Sequence, residues 1–180
     1  MTTTTTTTTN VAFDTTDLNT VIGTEVHGVN TMDLDDAGIE AISQLAAERG
    51  VVFFRDQVMS LTEQVELGRR FGELHVHPAA AGPDGFPEVL TIHTDENSTY
   101  TAGNGWHTDV SCDARPPGLS MLRLEQTPPA GGDTLWASMY EAYDTLSPSL
   151  QQYLLTLTAV HSGEQPYRGR YRAEDRATEF

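Results

Sequence analysis

Lysine is absent from this sequence: its ten basic residues are all arginine, set against 26 acidic ones, for a formal net charge of -16. Such a surface repels a phosphate backbone instead of displacing its counterions, which argues against nucleic acid and against an anionic membrane surface as partners. Cysteine is nearly absent as well. Cys112 alone can form neither an internal disulfide nor a thiolate zinc site, and a reducing compartment or indifference to redox state is expected. With no base placed beside it, it reads as a small buried or half-buried residue and not as a nucleophile. No apolar run approaches the ~20 residues that span a bilayer. Positive charge is missing from the start of the chain, where the first arginine is Arg49, so neither a secretory nor a mitochondrial leader is expected and the location reads as cytoplasmic. There are no internal repeats.

What is present fits one soluble core: 180 residues with 38% hydrophobic content. Thr2 to Thr9 is a homopolymer without an apolar face, so residues 1–19 are expected to be a disordered tail and residues 20–180 a domain. Val21 to Val26 reads as the first strand, ending at Gly28. Asp35 or Asp36 can cap a helix with Ile39, Ile42, Leu45 and Ala46 on one face and Gly50 at its end. Val51 to Phe54, four apolar residues in a row, reads as a strand buried on both sides. Ser60 and Glu63 have capping-box spacing for a helix running to about Phe71 and Gly72. From His75 to Gly105 the composition is that of a long functional loop, with a strand-like piece at Glu88 to Ile92. Further strands are expected at Leu119 to Leu124 and Thr134 to Trp136, on either side of a turn at Pro128 to Asp133. Ser138 and Glu141 repeat the capping spacing. Ser147 and Pro148 open a helix with Leu150, Tyr153, Leu154 and Leu157 on its apolar side. Ser162 to Phe180 is polar and aperiodic. This is an α+β pattern, with helices outside a β core whose strands are too few to close.

The chemistry concentrates at Trp106-His107-Thr108-Asp109. In an extended segment residues two apart point to the same side, so the His107 imidazole and the Asp109 carboxylate can reach one ion. Two histidines and one carboxylate make the facial triad of a non-haem iron, which leaves positions open for a keto acid and oxygen. His107 and Asp109 would be two of those three ligands.

Several blocks in order carry a resemblance. Trp106 to Ser111, Arg115-Pro116-Pro117-Gly118 and Pro128 to Trp136 are similar to the central part of the taurine dioxygenase (TauD/TfdA) family of iron(II)- and 2-oxoglutarate-dependent dioxygenases. Ile22 to Val29, Val52 to Gln57 and Phe71 to Pro78 extend the likeness upstream, and Ala142-Tyr143, Leu146-Ser147 and Ala159 to Gly163 extend it downstream. The last block and Asp109-Val110-Ser111 look closest to the sulfonate dioxygenase branch.

The resemblance implies the N-terminal part of a double-stranded β-helix, a jelly-roll or cupin-like fold, with flanking helices and a core left incomplete in this chain. It implies Fe(2+) and 2-oxoglutarate, with His107 and Asp109 on the metal and the Thr134 hydroxyl on the keto-acid carboxylate. His77 matches a histidine that contacts a substrate sulfonate, and Asn104 lies near a substrate-contacting asparagine. The expected reaction hydroxylates a sulfonate such as taurine or an alkanesulfonate, giving sulfite, an aldehyde, succinate and CO2. A family tyrosine three residues after the sulfonate histidine is Ala80 here, which removes one contact expected for taurine. The expected partners are therefore a small anionic substrate and O2, with homo-oligomerisation open for a full-length form. The alternatives are an alkyl sulfate or aryloxyalkanoate substrate, or an inactive half-domain. His161 is set aside as a third ligand because its block precedes the family's distal histidine. That histidine and the cofactor arginine are expected beyond residue 180, and Arg168, Arg170, Arg172 and Arg176 read as a solvated run.

Overall fold

Helices in this chain begin where a side chain can satisfy the free amides of a first turn. The computed structural model describes residues 12–77, 80, 82–98, 103 and 105–163. The threonine run, Asn104 and the arginines from Arg168 to Arg176 lie outside the described residues. Asp35 accepts the Gly38 N–H at 2.8 Å and starts α1 (Asp36–Arg49). Gly50 ends it at φ 71°, donating its N–H to the Ala46 carbonyl. Before α2 (Leu61–Phe71) the reciprocal box is complete: Ser60 Oγ accepts the Glu63 N–H, and the Glu63 carboxylate accepts the Ser60 N–H at 2.7 Å. Ser138 and Ser147 cap two short helices, α3 (Met139–Asp144) and α4 (Pro148–Leu154). All four starts fall where the sequence predicts them.

The sheet has three strands in the order β1 (Asp14–Asp17), β2 (Thr24–His27) and β3 (Val52–Phe54). β1 runs antiparallel to β2, and β2 runs parallel to β3, with α1 as the crossover that a parallel pair requires. Thr24, the central strand's first residue, faces Asp17 on one side and Val52 on the other and is completely covered. Val26, Ile39 and Ile42 are the buried apolar side chains around it.

Strand expectations need correction. Order begins before Val21, since Asp14–Asp17 already pairs with β2. Val21 and Ile22 are not in a strand because Asn19 Oδ1 accepts both of their N–H groups at 2.8 Å and folds them into a bend. Arg49 secures that bend from the end of α1, its Nη2 donating to the Asn19 carbonyl at 2.8 Å and the Gly23 carbonyl at 3.3 Å. β3 is half-buried and lies at the sheet's edge, not covered on both sides. Residues 88–92, 119–124 and 134–136 adopt no strand. A strand exists only where a neighbour completes its ladder, and among the described residues none pairs with these three segments.

Two compact units emerge: residues 1–59 with 124–157, and residues 60–123 with 158–180. The first holds the sheet, α1, α3 and α4. The second holds α2 and the long irregular segments, and its buried apolar residues are Val65, Leu67 and Val110. Neither α3 nor α4 has a buried residue, so the predicted stripe of Leu150, Tyr153, Leu154 and Leu157 is exposed. Among the described residues no helix is long and apolar enough to cross a membrane.

Gly50 gives the sharpest test of this architecture. An alanine there would be forced to positive φ, with its Cβ 3.0 and 3.1 Å from Ile22 carbons. Urea unfolding should show Gly50→Ala destabilised by about 1–2 kcal/mol. Ser60→Ala, which breaks the capping box, should cost about 1 kcal/mol.

Candidate metal centre

His107 and Asp109 lie in an irregular stretch of the second unit, so their geometry depends on tethers and not on a helix or strand. His107 Nε2 is 3.4 Å from Asp109 Oδ1. An ion bonded to both at about 2.1 Å and at a right angle would hold the donors about 3 Å apart, so the two groups fit one divalent ion with a small closure.

Their outer hydrogen bonds agree with that use. His107 Nδ1 lies 2.8 Å from the Gly105 carbonyl oxygen, an acceptor only, so Nδ1 carries the proton and Nε2 presents its lone pair. Ser120 Oγ donates to Asp109 Oδ2 at 2.5 Å, which occupies one carboxylate oxygen and leaves Oδ1 facing the imidazole. Both side chains are about half exposed, at 55% and 51%. Among the described residues no three His, Cys, Asp or Glu side chains gather as a metal cage. This pair therefore fits as two donors of a site that needs another.

Between the donors and the next segment, Val110 takes φ 45°, a left-handed conformation that β-branched residues avoid, and yet it is buried. The Asp113 N–H donates to its carbonyl at 3.0 Å and closes the turn. Ser111 Oγ is 2.9 Å from His161 Nδ1, so His161 serves the turn and is not placed as a ligand. His75 Nε2 is 3.0 Å from Asp113 Oδ2.

His77 lies in the same unit, half-buried and near enough to Asp109 to feel its charge. Burial lowers its pKa below the ordinary histidine value, the neighbouring His75 lowers it further, and Asp109 opposes both. It is therefore a neutral imidazole at pH 7, able to donate one N–H.

The structure thus brings His107, Asp109 and His77 into one unit. Thr134 belongs to the other, exposed just after Gly131 and Gly132, whose φ values are 77° and 75°. Asn104 is outside the described residues. Cys112 is half-buried. Sequence reasoning missed Ser120, Ser111 and Asp113, because the groups they serve are distant in sequence and no local motif marks them.

The chain matches the model of the family described as "Taurine catabolism dioxygenase TauD, TfdA family" over residues 14–180. An alpha-ketoglutarate-dependent sulfonate dioxygenase of Saccharomyces cerevisiae is 36% identical over 155 residues, covering 80% of this chain and 38% of that protein. An alpha-ketoglutarate-dependent sulfate ester dioxygenase of Pseudomonas putida is 37% identical over 149 residues, covering 81% of this chain and 48% of that protein. The crystal structure of a taurine dioxygenase from Burkholderia xenovorans superposes with a TM-score of 0.61 at 31% identity, covering 79% of this chain and 50% of that one. This chain therefore spans half or less of the length of these relatives.

Two outcomes test the centre. Ser120→Ala frees Asp109 Oδ2 and should weaken manganese(II) binding about ten-fold, a partner effect typical of groups that orient a ligand. Histidine NMR titration should place His77 below the ordinary value of about 6.5. Since its folded pKa is depressed, the stability tied to it is present above about 6.5 and is lost as pH falls through the folded value.

Proposed function

Because the chain belongs to the taurine catabolism dioxygenase TauD, TfdA family, we propose that it supplies the metal-binding N-terminal part of an iron(II)- and 2-oxoglutarate-dependent dioxygenase that hydroxylates a sulfonate. The observation that carries this is the His107–Asp109 arrangement, with Nε2 and Oδ1 facing each other and the opposite sides of both groups already hydrogen-bonded.

In this reading His107 Nε2 and Asp109 Oδ1 hold the iron. The bound iron and 2-oxoglutarate supply the oxidising power, the keto acid leaving as succinate and CO2. Thr134 gives its hydroxyl hydrogen to a 2-oxoglutarate carboxylate, since a carboxylate withdrawn from water needs fixed donors. His77 donates its single N–H to a sulfonate oxygen. O2 would be the oxidant, one of its atoms going into succinate and the other replacing a hydrogen as hydroxyl on the carbon beside the sulfonate, and the hydroxylated product would break down to an aldehyde and sulfite. In this reading residues 119–124 and 134–136, which adopt no strand in the structure, would pair as strands of a double-stranded β-helix.

A sulfate ester is the second reading. It presents the same trigonal anion to His77, and the sulfate ester relative from Pseudomonas putida is as similar to this chain as the sulfonate relative. Ala80 in place of the family tyrosine favours a substrate other than taurine in both readings.

Incubation with iron(II), 2-oxoglutarate and a panel of sulfonates, alkyl sulfates and aryloxyalkanoates separates them. Sulfite released in step with succinate is the expected result, and His107→Ala should abolish both. Sulfate in place of sulfite would select the ester reading. Succinate formed with aryloxyalkanoates alone would sink both.

A further inference from the structure

Among the described residues one histidine–carboxylate pair outside the donor set joins segments that are distant in sequence. His75 Nε2 and Asp113 Oδ2 are 3.0 Å apart across 38 residues, with side chains 23% and 33% exposed. Other histidine–carboxylate contacts, His27 with Glu25 at 3.7 Å and His93 with Asp95 at 3.8 Å, link residues two apart and can hold nothing together. The Asp113 carboxyl is kept below the usual carboxylate range, first by the hydrogen bond from His75 and also by the N–H groups of Arg115 and Ala114. It is an ionised acceptor, so His75 Nε2–H is the donor.

Each partner leads directly to the candidate centre. Two residues after His75 comes His77, with no helix or strand between them to fix its position. Asp113 closes the turn on Val110, whose preceding residue is Asp109. An isolated surface ion pair contributes little. A half-buried hydrogen bond between two irregular segments instead sets their distance, which neither segment can set alone.

We propose that His75 and Asp113 are positioning residues that fix the spacing between the sulfonate-binding His77 and the metal-binding Asp109. This rests on the function proposed above. A sulfonate has a short, fixed separation between its anion and the carbon to be oxidised, and a misplacement of about 1 Å can reduce reaction about 100-fold. The device matters most for whether the bound carbon is aimed correctly and least for whether metal binds.

The test uses the enzyme loaded with manganese(II) and 2-oxoglutarate under nitrogen, with 1-hexanesulfonate as probe, followed by aerobic turnover with iron(II). His75→Ala and Asp113→Ala should each weaken hexanesulfonate binding about ten-fold while manganese affinity stays within about three-fold. Both should lower the sulfite formed per succinate. The double variant should be no worse than either single, since the two act as one contact. Asp113→Asn, whose amide oxygen can still accept from His75, should recover most of the binding. If the alanine variants do not fold, His75→Gln and Asp113→Asn are compared with wild type by the same readouts. Wild-type sulfonate affinity and wild-type sulfite-to-succinate ratio in the variants would overturn the positioning role, as would equal loss of manganese and sulfonate together with a lowered Tm. A wild-type protein that binds manganese but neither sulfonate nor 2-oxoglutarate would overturn the functional reading itself.

Discussion

Val110 holds a backbone conformation costly for a β-branched side chain, and it does so next to Asp109 with its own side chain buried. Strain of this kind costs of order 1–3 kcal/mol and survives only where the surroundings over-determine it. Here three bonds from three different segments do so. Ser120 holds the Asp109 carboxylate, His161 meets the Ser111 hydroxyl, and His75 bonds the Asp113 carboxylate. The left-handed residue reverses the chain so that Asp109 can face His107 while Ser111 and Asp113 turn to other partners. Released from those bonds, the turn would relax towards an ordinary conformation and the 3.4 Å approach of the two donors would have nothing to maintain it.

The legibility of this protein follows the distance over which its interactions act. α1 and α2 could be placed from sequence because their ends are decided within four residues: Asp35 to Gly38, Gly50 to Ala46, Ser60 to Glu63. The approach of His107 to Asp109 was legible for the same reason, the two being two residues apart. The supporting bonds were not, because they span 11, 38 and 50 residues and are made by side chains with no motif of their own. Strands failed in both directions. Asp14–Asp17, polar and exposed, is a strand because β2 completes its ladder, whereas the apolar run from Leu119 to Leu124 finds no partner among the described residues. Val21 and Ile22 have good strand propensity, but one asparagine side chain outweighs it.

The separation of the two compact units bears on how the proposed functions divide. His107, Asp109, His77 and the hydrogen bonds described around them fall within one unit, residues 60–123 with 158–180. Thr134, assigned to the keto acid, falls in the other. The facing His107–Asp109 pair and the bonds that orient it are thus local to the second unit.

Charge places a further demand on this site. A chain with a net charge of -16 repels an anionic substrate at long range. Among the described residues the arginines offer little relief: Arg49, Arg55, Arg69 and Arg115 lie against Asp17, Glu25, Glu88 and Glu73, and Arg70 and Arg123 are also engaged. His77 is neutral at pH 7, held so chiefly by burial. In the proposed function His77 would then contribute direction more than charge.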